Sequence, residues 1–571
     1  MSPTITELLS LPELAQRFSR AAGELYDLAE PPAIAFESPR RPEFGDIATN
    51  VAFGLAKTLR LGPPAIAAAI AERALSDPRV RATVAAATPT AGFINLRLVP
   101  EFWQRTVTAI LHAGADYGRG PARNQAISLE FGSANPTGPL VVVQGRTLSI
   151  GDTLAKAMRF AGFEVFTEWI INDAGGQVDS LSRSLYARYR QLWEPKFPFP
   201  DDGYPGAYLA PIAERLRALD GEHWRDAHER DWGPCFAQFG RDAIVLEQRA
   251  VAARFGVVLD RWQSEKALHD AGTIERGIAR LAELGVTYEN DRAVWARTTA
   301  SGDDEDRVVV RADGRPTYYA ADVAYHYDKL QRADRVIDIL GPDHHGYIAR
   351  LNALADAYGR SGAIEVILAQ QITLKRGAET ISMSKRAGNI VTLEEIIDEV
   401  GVDAARFFFV MLSTDQPLTF DLQLAKEQSN ENPVFYVQYG HARIASLVRR
   451  AQQRDATLVE QARTVPNLTR LDASAELALI RRLADFGSVV ENVALARAPH
   501  RLPKYARDIA AGFHAFYDQS PVLGVLDTDR DLAAARLALA MATQTVLAQA
   551  LTLCGVSAPA RMERAIPESS L

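Results

Sequence analysis

The order of apolar runs and loops predicts an α/β chain, with a parallel-sheet domain between a small α+β module and an all-α C-terminal bundle. Three observations carry this. Residues 127–131 form a short apolar run, followed by a Ser/Asn/Pro/Gly loop, a helical pattern through about 161 and another run at 164–170. That is the strand–loop–helix–strand order of a βαβ unit, which builds parallel sheets. A further run at 336–340 ends at Gly341-Pro342-Asp343-His344-His345-Gly346 and leads into a helical pattern at 348–358. Beyond about residue 430, helical spacing recurs at 436–450, 474–494, 502–516 and 532–553, with no strand candidate.

The remaining elements follow in chain order. Residues 51–75 are Ala-rich with apolar spacing near that of a helix, which predicts a helix pair. Residues 92–98 alternate apolar and polar side chains and read as a strand, so 1–110 is expected to be a small α+β module. Residues 180–270 read as mostly helical, interrupted by a Pro-rich stretch around 195–205. Thr392 and Glu395 have the spacing of a capping box and predict a helix start.

Composition bounds the function classes. The chain has 571 residues, 47% apolar and 23% charged, an ordinary globular balance. No uninterrupted apolar run of 18 residues exists, and the N-terminus lacks a basic start with an apolar core. Two cysteines, Cys235 and Cys554, cannot make a disulfide framework. A cytoplasmic protein that does not meet a membrane is expected. The net charge of −8 is uneven: residues 431–571 hold 16 Lys/Arg against 14 Asp/Glu, so the other 430 residues carry −10. A mildly basic C-terminal part is compatible with nucleic acid without showing it.

Two loops carry candidate chemistry. Glu130 through Asp152 combines a strand end, a turn-rich loop and a helix start, and a helix N-terminus offers free backbone N–H groups to an anion. An ordinary βα connection is the competing reading. No Gly-x-Gly-x-x-Gly and no Walker-type loop is present. Residues 381–395, with Lys385 and Arg386 beside Ser384, Gly388 and Asn389, form a basic loop suited to phosphate, or equally a solvated basic turn. His344 and His345 beside Asp343 lack the spacing of a zinc set, so no metal ligand is assigned. His326, in a helical pattern, reads as a buried structural histidine.

Met383-Ser384-Lys385-Arg386 and Ser133-Ala134-Asn135-Pro136-Thr137-Gly138-Pro139-Leu140 together resemble the class I aminoacyl-tRNA synthetases, and within them the arginyl-tRNA synthetases. The likeness spans nearly the whole chain. Residues 42–50 and 92–95 look like that family's N-terminal tRNA-elbow domain, 171–177, 317–326 and 343–346 like its catalytic domain, and 403–406, 432–443 and 557–562 like its anticodon-binding part.

The resemblance implies a Rossmann-type catalytic domain at 120–415 with a helical insertion at about 180–270, an N-terminal domain at 1–110 and a helical anticodon-binding domain at 430–571. It implies ATP-dependent attachment of arginine to tRNA(Arg) through arginyl-adenylate, with Mg²⁺ accompanying ATP as substrate, no bound cofactor, and a monomer. By this resemblance Glu130, Asn135, Tyr318 and Asp322 bind arginine, since carboxylates match the planar guanidinium fork. Gly145, Asp343, His344, Met383 and Lys385 stand on the ATP side, with Lys385, Ser384 and Gln144 as catalytic candidates. Phe93 and Asn95 would meet the tRNA elbow, and Tyr436, Tyr439, Arg443 and Met562 its anticodon. The two tyrosines, at i and i+3, could instead face the bundle core.

The chain departs from the family at one place. Where the family's first signature reads His-Val-Gly-His, this sequence has Val141-Val142-Val143-Gln144, and Ser382 replaces the lysine that commonly opens the second signature. Removing one transition-state donor typically costs about 10²–10³ in rate. The ligase reading therefore stands beside an alternative, a related protein that binds tRNA or arginine without activating the amino acid. Nine residues follow Met562, with no role assigned.

Overall fold

The computed structural model describes residues 8–562 except Ser38, Arg40, His345, 382–390 and Val465, together with the backbone but not the side chain of Pro42. The chain forms two compact units. One gathers the N-terminal part through Tyr117 with Arg443–Phe486 and Ile509–Val546; the other holds Gly118–Ala442 with Gly487–Asp508 and the chain from Leu547 onward.

The first unit contains the expected helix pair, Val51–Leu59 and Pro63–Leu75. Its sheet has three strands, Ile47–Thr49, Val84–Thr90 and Phe93–Leu98, all antiparallel. Only the last is legible in the sequence. Val84–Thr90 is Ala-rich, contains Pro89 and is exposed over most of its length, so it carries no alternating apolar signal. Its pairing with Phe93–Leu98, rather than its composition, makes it a strand.

The second unit is built on five parallel strands in the order Ile364–Leu368, Arg335–Leu340, Ala126–Ala134, Glu164–Ile171, Arg261–Ser264. The central strand is buried on both faces, so Ser128 and Glu130, which alternate with Ile127, Leu129 and Phe131, find internal partners in Glu168 and Lys329. Helix Val142–Phe160 covers the central strand, and Gly151 allows the approach: an added Cβ would lie 1.9 Å from Phe131 Cγ. The insertion is mostly helical, with Gly176–Gln191, Leu209–Asp220 and Glu229–Arg254 packed around stacked Tyr186 and Trp232, 3.9 Å between ring centroids. But Arg261–Ser264, within the 180–270 stretch read as helical, is an edge strand of the sheet, paired with Glu168–Ile171. The Thr392–Glu395 capping box is formed, with Glu395 N donating to Thr392 Oγ1 at 3.1 Å.

Among the described residues, every element after Asp421 is helical. The pattern at 436–450 extends to Pro433–Arg454, and the one at 474–494 is two helices, Ser474–Ala484 and Phe486–Ala496, broken at Asp485.

Candidate functional site

Ligands of open α/β sheets bind beyond the carboxyl ends of the strands. There the second unit holds a cavity of about 1450 Å³ whose lining includes Asp173, Gly175, Arg241, Arg249, Glu265 and Tyr318. One helix brings Tyr318 to this cavity and carries two further side chains inward from it. Thr317 caps helix Tyr318–Arg332 by accepting from Ala320 N, and four-residue spacing then sets Tyr318, Asp322 and His326 along one face. Tyr318 is 70% exposed at the cavity wall, while Asp322 is half-buried. Glu265 opens helix Glu265–Asp270, and its carboxyl is pushed up to about 7, first by burial and then by the charges of Asp322 and Asp173. Glu265 and Asp322 are both raised above their ordinary range, Asp322 also chiefly by burial, while Asp173 is paired with Arg241 at 3.6 Å and accepts from Ser264 Oγ and Lys266 N. A guanidinium would relieve that repulsion.

Glu130, assigned to arginine, lies deeper. It is buried and its Oε2 accepts from Lys329 Nζ at 2.6 Å; the same ammonium donates to Asp338 Oδ1 at 2.8 Å. His326 Nε2 meets Asp338 Oδ2 at 2.8 Å and its Nδ1 meets Asp322 O at 2.8 Å, which makes it the buried structural histidine expected. Burial opposes the charge on Lys329, but Asp338 and Glu130 outweigh it and raise its pKa. Burial likewise opposes the charge on Asp338, yet Lys329 and His326 hold it below the usual carboxylate range. Burial pushes Glu130 up despite Lys329. Glu130 therefore belongs to an internal ion cluster beneath the Asp322 face.

The start of helix Val142–Phe160 differs from an open anion site. Gln144, a candidate donor to ATP, is engaged at both ends of its amide: Val141 N donates to its Oε1 at 2.7 Å, and its Nε2 donates to Ser133 O at 3.5 Å. Its Oε1 caps the helix start, while its Nε2 makes one long contact. Gly145, placed on the ATP side by the sequence, is buried against the segment after the second signature, where an added Cβ would lie 2.6 Å from Leu393 Cδ1 and 3.0 Å from Phe409 Cε2. It is a packing glycine. Val142 N donates to Val391 O at 3.2 Å and Leu393 N to Leu140 O at 2.8 Å, so the flanks of the two signatures are joined. Met383, Ser384 and Lys385 lie outside the described residues. Asp343 is exposed and His344 half-exposed on the turn Pro342–His344, with His344 edge-on to Tyr347 at 5.4 Å. Among the described residues no His/Cys/Asp/Glu group suits a metal ion.

Asn135 is exposed on its loop. In the first unit Phe93 is 41% exposed and packs edge-on to exposed Phe53 at 5.2 Å. Asn95 is instead turned inward, 6% exposed, its Nδ2 donating to Thr88 O at 3.2 Å across the hairpin. Tyr436 and Tyr439 are half-buried, with Tyr439 stacked on Phe435, so neither is wholly a core residue. Arg443 lies over the Tyr517 ring at 4.2 Å and reaches His514 Nδ1 at 3.2 Å. Met562 is half-buried.

Sequence reasoning missed Glu265, Lys329 and Arg146. The available signal for Lys329 was its place on the same helix face, three residues beyond His326 and seven beyond Asp322. Arg146 is fully buried and donates to the carbonyls of Gln370, Gln371, Ser413 and Gln416, with burial lowering its pKa to about 10. No local pattern announces it, because all four partners are more than 220 residues away.

Two family models match. Residues 12–98 match the arginyl tRNA synthetase N terminal domain, and 437–562 the DALR anticodon binding domain. An arginine–tRNA ligase from Syntrophotalea carbinolica is 43% identical over 534 residues, covering 93% of this chain and 95% of that protein. One from Carboxydothermus hydrogenoformans is 41% identical, covering 96% of this chain and 98% of the relative. Among solved structures, the Thermus thermophilus arginyl-tRNA synthetase superposes with a TM-score of 0.75 at 23% identity, covering 97% of this chain and all of that one. That likeness bears on the fold alone.

Proposed function

Because the chain belongs to the arginyl-tRNA synthetase family, we infer that the acidic face at the cavity is where it holds the arginine it attaches to tRNA. It is an arginine–tRNA ligase, the activity its curated relatives share. The observation that carries the reading is the convergence of Asp322 and Glu265 beside exposed Tyr318. Two carboxylates raised chiefly by burial, Glu265 also by the charge of Asp322, are a receptor for the guanidinium and a poor site for a neutral side chain. Glu130 supports that face from beneath through Lys329, and Asn135 contacts arginine from the loop.

In the first step the arginine carboxylate attacks the α-phosphate of ATP, forming arginyl-adenylate and releasing pyrophosphate. In the second, a hydroxyl of the 3′-terminal adenosine of tRNA attacks the arginyl carbonyl and AMP leaves. With valine at 141 and 143, phosphate stabilisation falls chiefly to Lys385, with Ser384 and Met383 in the same signature, and the turn bearing Asp343 and His344 stands on the ATP side. Mg²⁺ enters with ATP as part of the substrate. The tRNA is held at its elbow by the 1–110 domain, with Phe93 as contact, and at its anticodon by 430–571, with Tyr436, Tyr439, Arg443 and Met562. The protein acts as a cytoplasmic monomer; no helix among the described residues is long and apolar enough to cross a membrane.

The test is ATP-dependent charging of tRNA(Arg) with labelled arginine by the unaltered protein. Charging is expected. Tight tRNA binding with no charging overturns the reading and favours a protein that binds its ligands without activating the amino acid.

A pH dependence follows from Glu265. A guanidinium binds its ionised form, so arginine binding expels a proton wherever Glu265 is protonated in the empty site. The KM for arginine should therefore be flat above about pH 7 and rise as pH falls below it, by about tenfold per unit. Steady-state charging from pH 5.5 to 8.5 checks this (roughly one proton's span on either side of the pKa). Glu265→Gln should abolish the slope, and a slope that survives in that variant assigns the titration elsewhere.

A further inference from the structure

The loop between Ser133 and Leu140 is held from the helical insertion by residues outside either signature. Gln248, 1% exposed in helix Glu229–Arg254, donates its Nε2 to Asn135 O at 3.2 Å and to Gly138 O at 2.8 Å. Tyr208, the N-cap residue of helix Leu209–Asp220, donates its hydroxyl to Thr137 O. Its ring lies over Gly138, where an added Cβ would sit 3.4 Å from the hydroxyl oxygen and 3.5 Å from Cζ. Burial holds the Tyr208 hydroxyl well above its ordinary range, so it remains a donor at every working pH. Three carbonyls of the loop are thus taken by two side chains, while Gln144 holds Ser133 O and Val141 N at its ends.

Gln248 is costly to bury. Its Oε1 is enclosed and has no hydrogen-bond partner among the described residues, a desolvation penalty that an apolar side chain of the same length would avoid. Packing therefore does not explain a glutamine here, whereas the two carbonyls on its Nε2 do. A loop that bends through Pro136, Gly138 and Pro139 has few internal hydrogen bonds to set its shape, so donors from outside decide where Asn135 stands.

We propose that Gln248 and Tyr208 are positioning residues for amino-acid activation, fixing the backbone at Asn135, Thr137 and Gly138 so that the Asn135 side chain is presented to arginine. This rests on the assignment of Asn135 to arginine made above. It makes the helical insertion a determinant of arginine affinity, although neither residue touches the substrate.

The test is steady-state charging by Gln248→Met, Tyr208→Phe and the double variant. Methionine keeps the length of glutamine without its donor, and phenylalanine removes one oxygen. The expected result is a rise in arginine KM of about fivefold to tenfold for each single variant, with kcat within about threefold and the KM for ATP and affinity for tRNA unchanged. A merely structural role would instead lower the melting temperature and the active fraction, reducing kcat at constant arginine KM, and that result overturns the proposal. If Gln248→Met does not fold, Tyr208→Phe carries the test alone by the same criterion. If the unaltered protein fails to charge tRNA, the function proposed above has failed. The positioning claim is then read by calorimetric titration with arginine, where about tenfold weaker binding by the variants supports it and equal binding overturns it.

Discussion

A Lys329→Met variant is expected to lose about 3–5 kcal/mol of stability in the sheet unit, the largest effect of any single substitution considered. The ammonium is fully buried and is shared by Glu130 and Asp338 at 2.6 and 2.8 Å. Removing it leaves two carboxylates in the interior facing each other, and burial already pushes Glu130 toward its neutral form. One of them must take up a proton to fold. Thermal melting followed by circular dichroism should therefore show a midpoint lower by roughly 5–10 °C at neutral pH. The loss should shrink as pH falls, because protonating Glu130 no longer opposes folding. Adding Glu130→Gln should recover part of it at pH 7. A midpoint within about 1 °C of the unaltered protein would mean that the cluster does not hold the strands Ala126–Ala134 and Arg335–Leu340 together as described.

An Asp322→Asn variant is expected to keep its fold and lose about 10²–10³-fold in kcat/KM for arginine, with the KM for ATP changed by less than about threefold. Asparagine has nearly the same volume but cannot supply a charge to the guanidinium, and it removes the repulsion that raises Glu265. The variant should therefore also shift the pH dependence of the remaining activity downward, since Asp322 is the first charge that holds Glu265 up after burial itself. Steady-state kinetics in both substrates distinguishes this from general damage. A loss below tenfold, or an equal loss in ATP KM, would remove Asp322 from the arginine site and leave Glu265 as its anionic wall.

How much of this was legible in the sequence differs by residue. The centre of the parallel sheet was, because Ala126–Ala134 and Arg335–Leu340 are buried on both faces and end at turn residues, whereas the edge strands Ile364–Leu368 and Arg261–Ser264 were not, the latter lying in a stretch that reads as mostly helical. The Thr392–Glu395 capping box and the buried place of His326 were legible for the same reason: each depends on residues within a few positions of one another or on one helical period. Tyr318 and Asp322 were named as arginine ligands through family resemblance, and the structure places them on one helix face.

Other readings were altered by distance along the chain. Gln144 and Gly145 sit in a signature position, and the sequence places both toward ATP. Yet Gln144 Oε1 accepts from Val141 N, and the space that a side chain at Gly145 would need is filled by Leu393 and Phe409. Glu130 could be identified as a carboxylate at a strand end, but its partner Lys329 is 199 residues away. The strand Val84–Thr90 exists only because its neighbour pairs with it.

The sequence by itself determined the element order, the helical C-terminal part and, through the resemblance, the family. Those depend on local periodicity and on short motifs whose order survives in one dimension. Only the tertiary structure decided which carboxylate faces the cavity and which is locked to a lysine, and which polar side chains hold the Asn135 loop. Burial and ion pairing are set by neighbours in space, and they decide whether the same glutamate is a ligand-binding charge or an internal counter-ion.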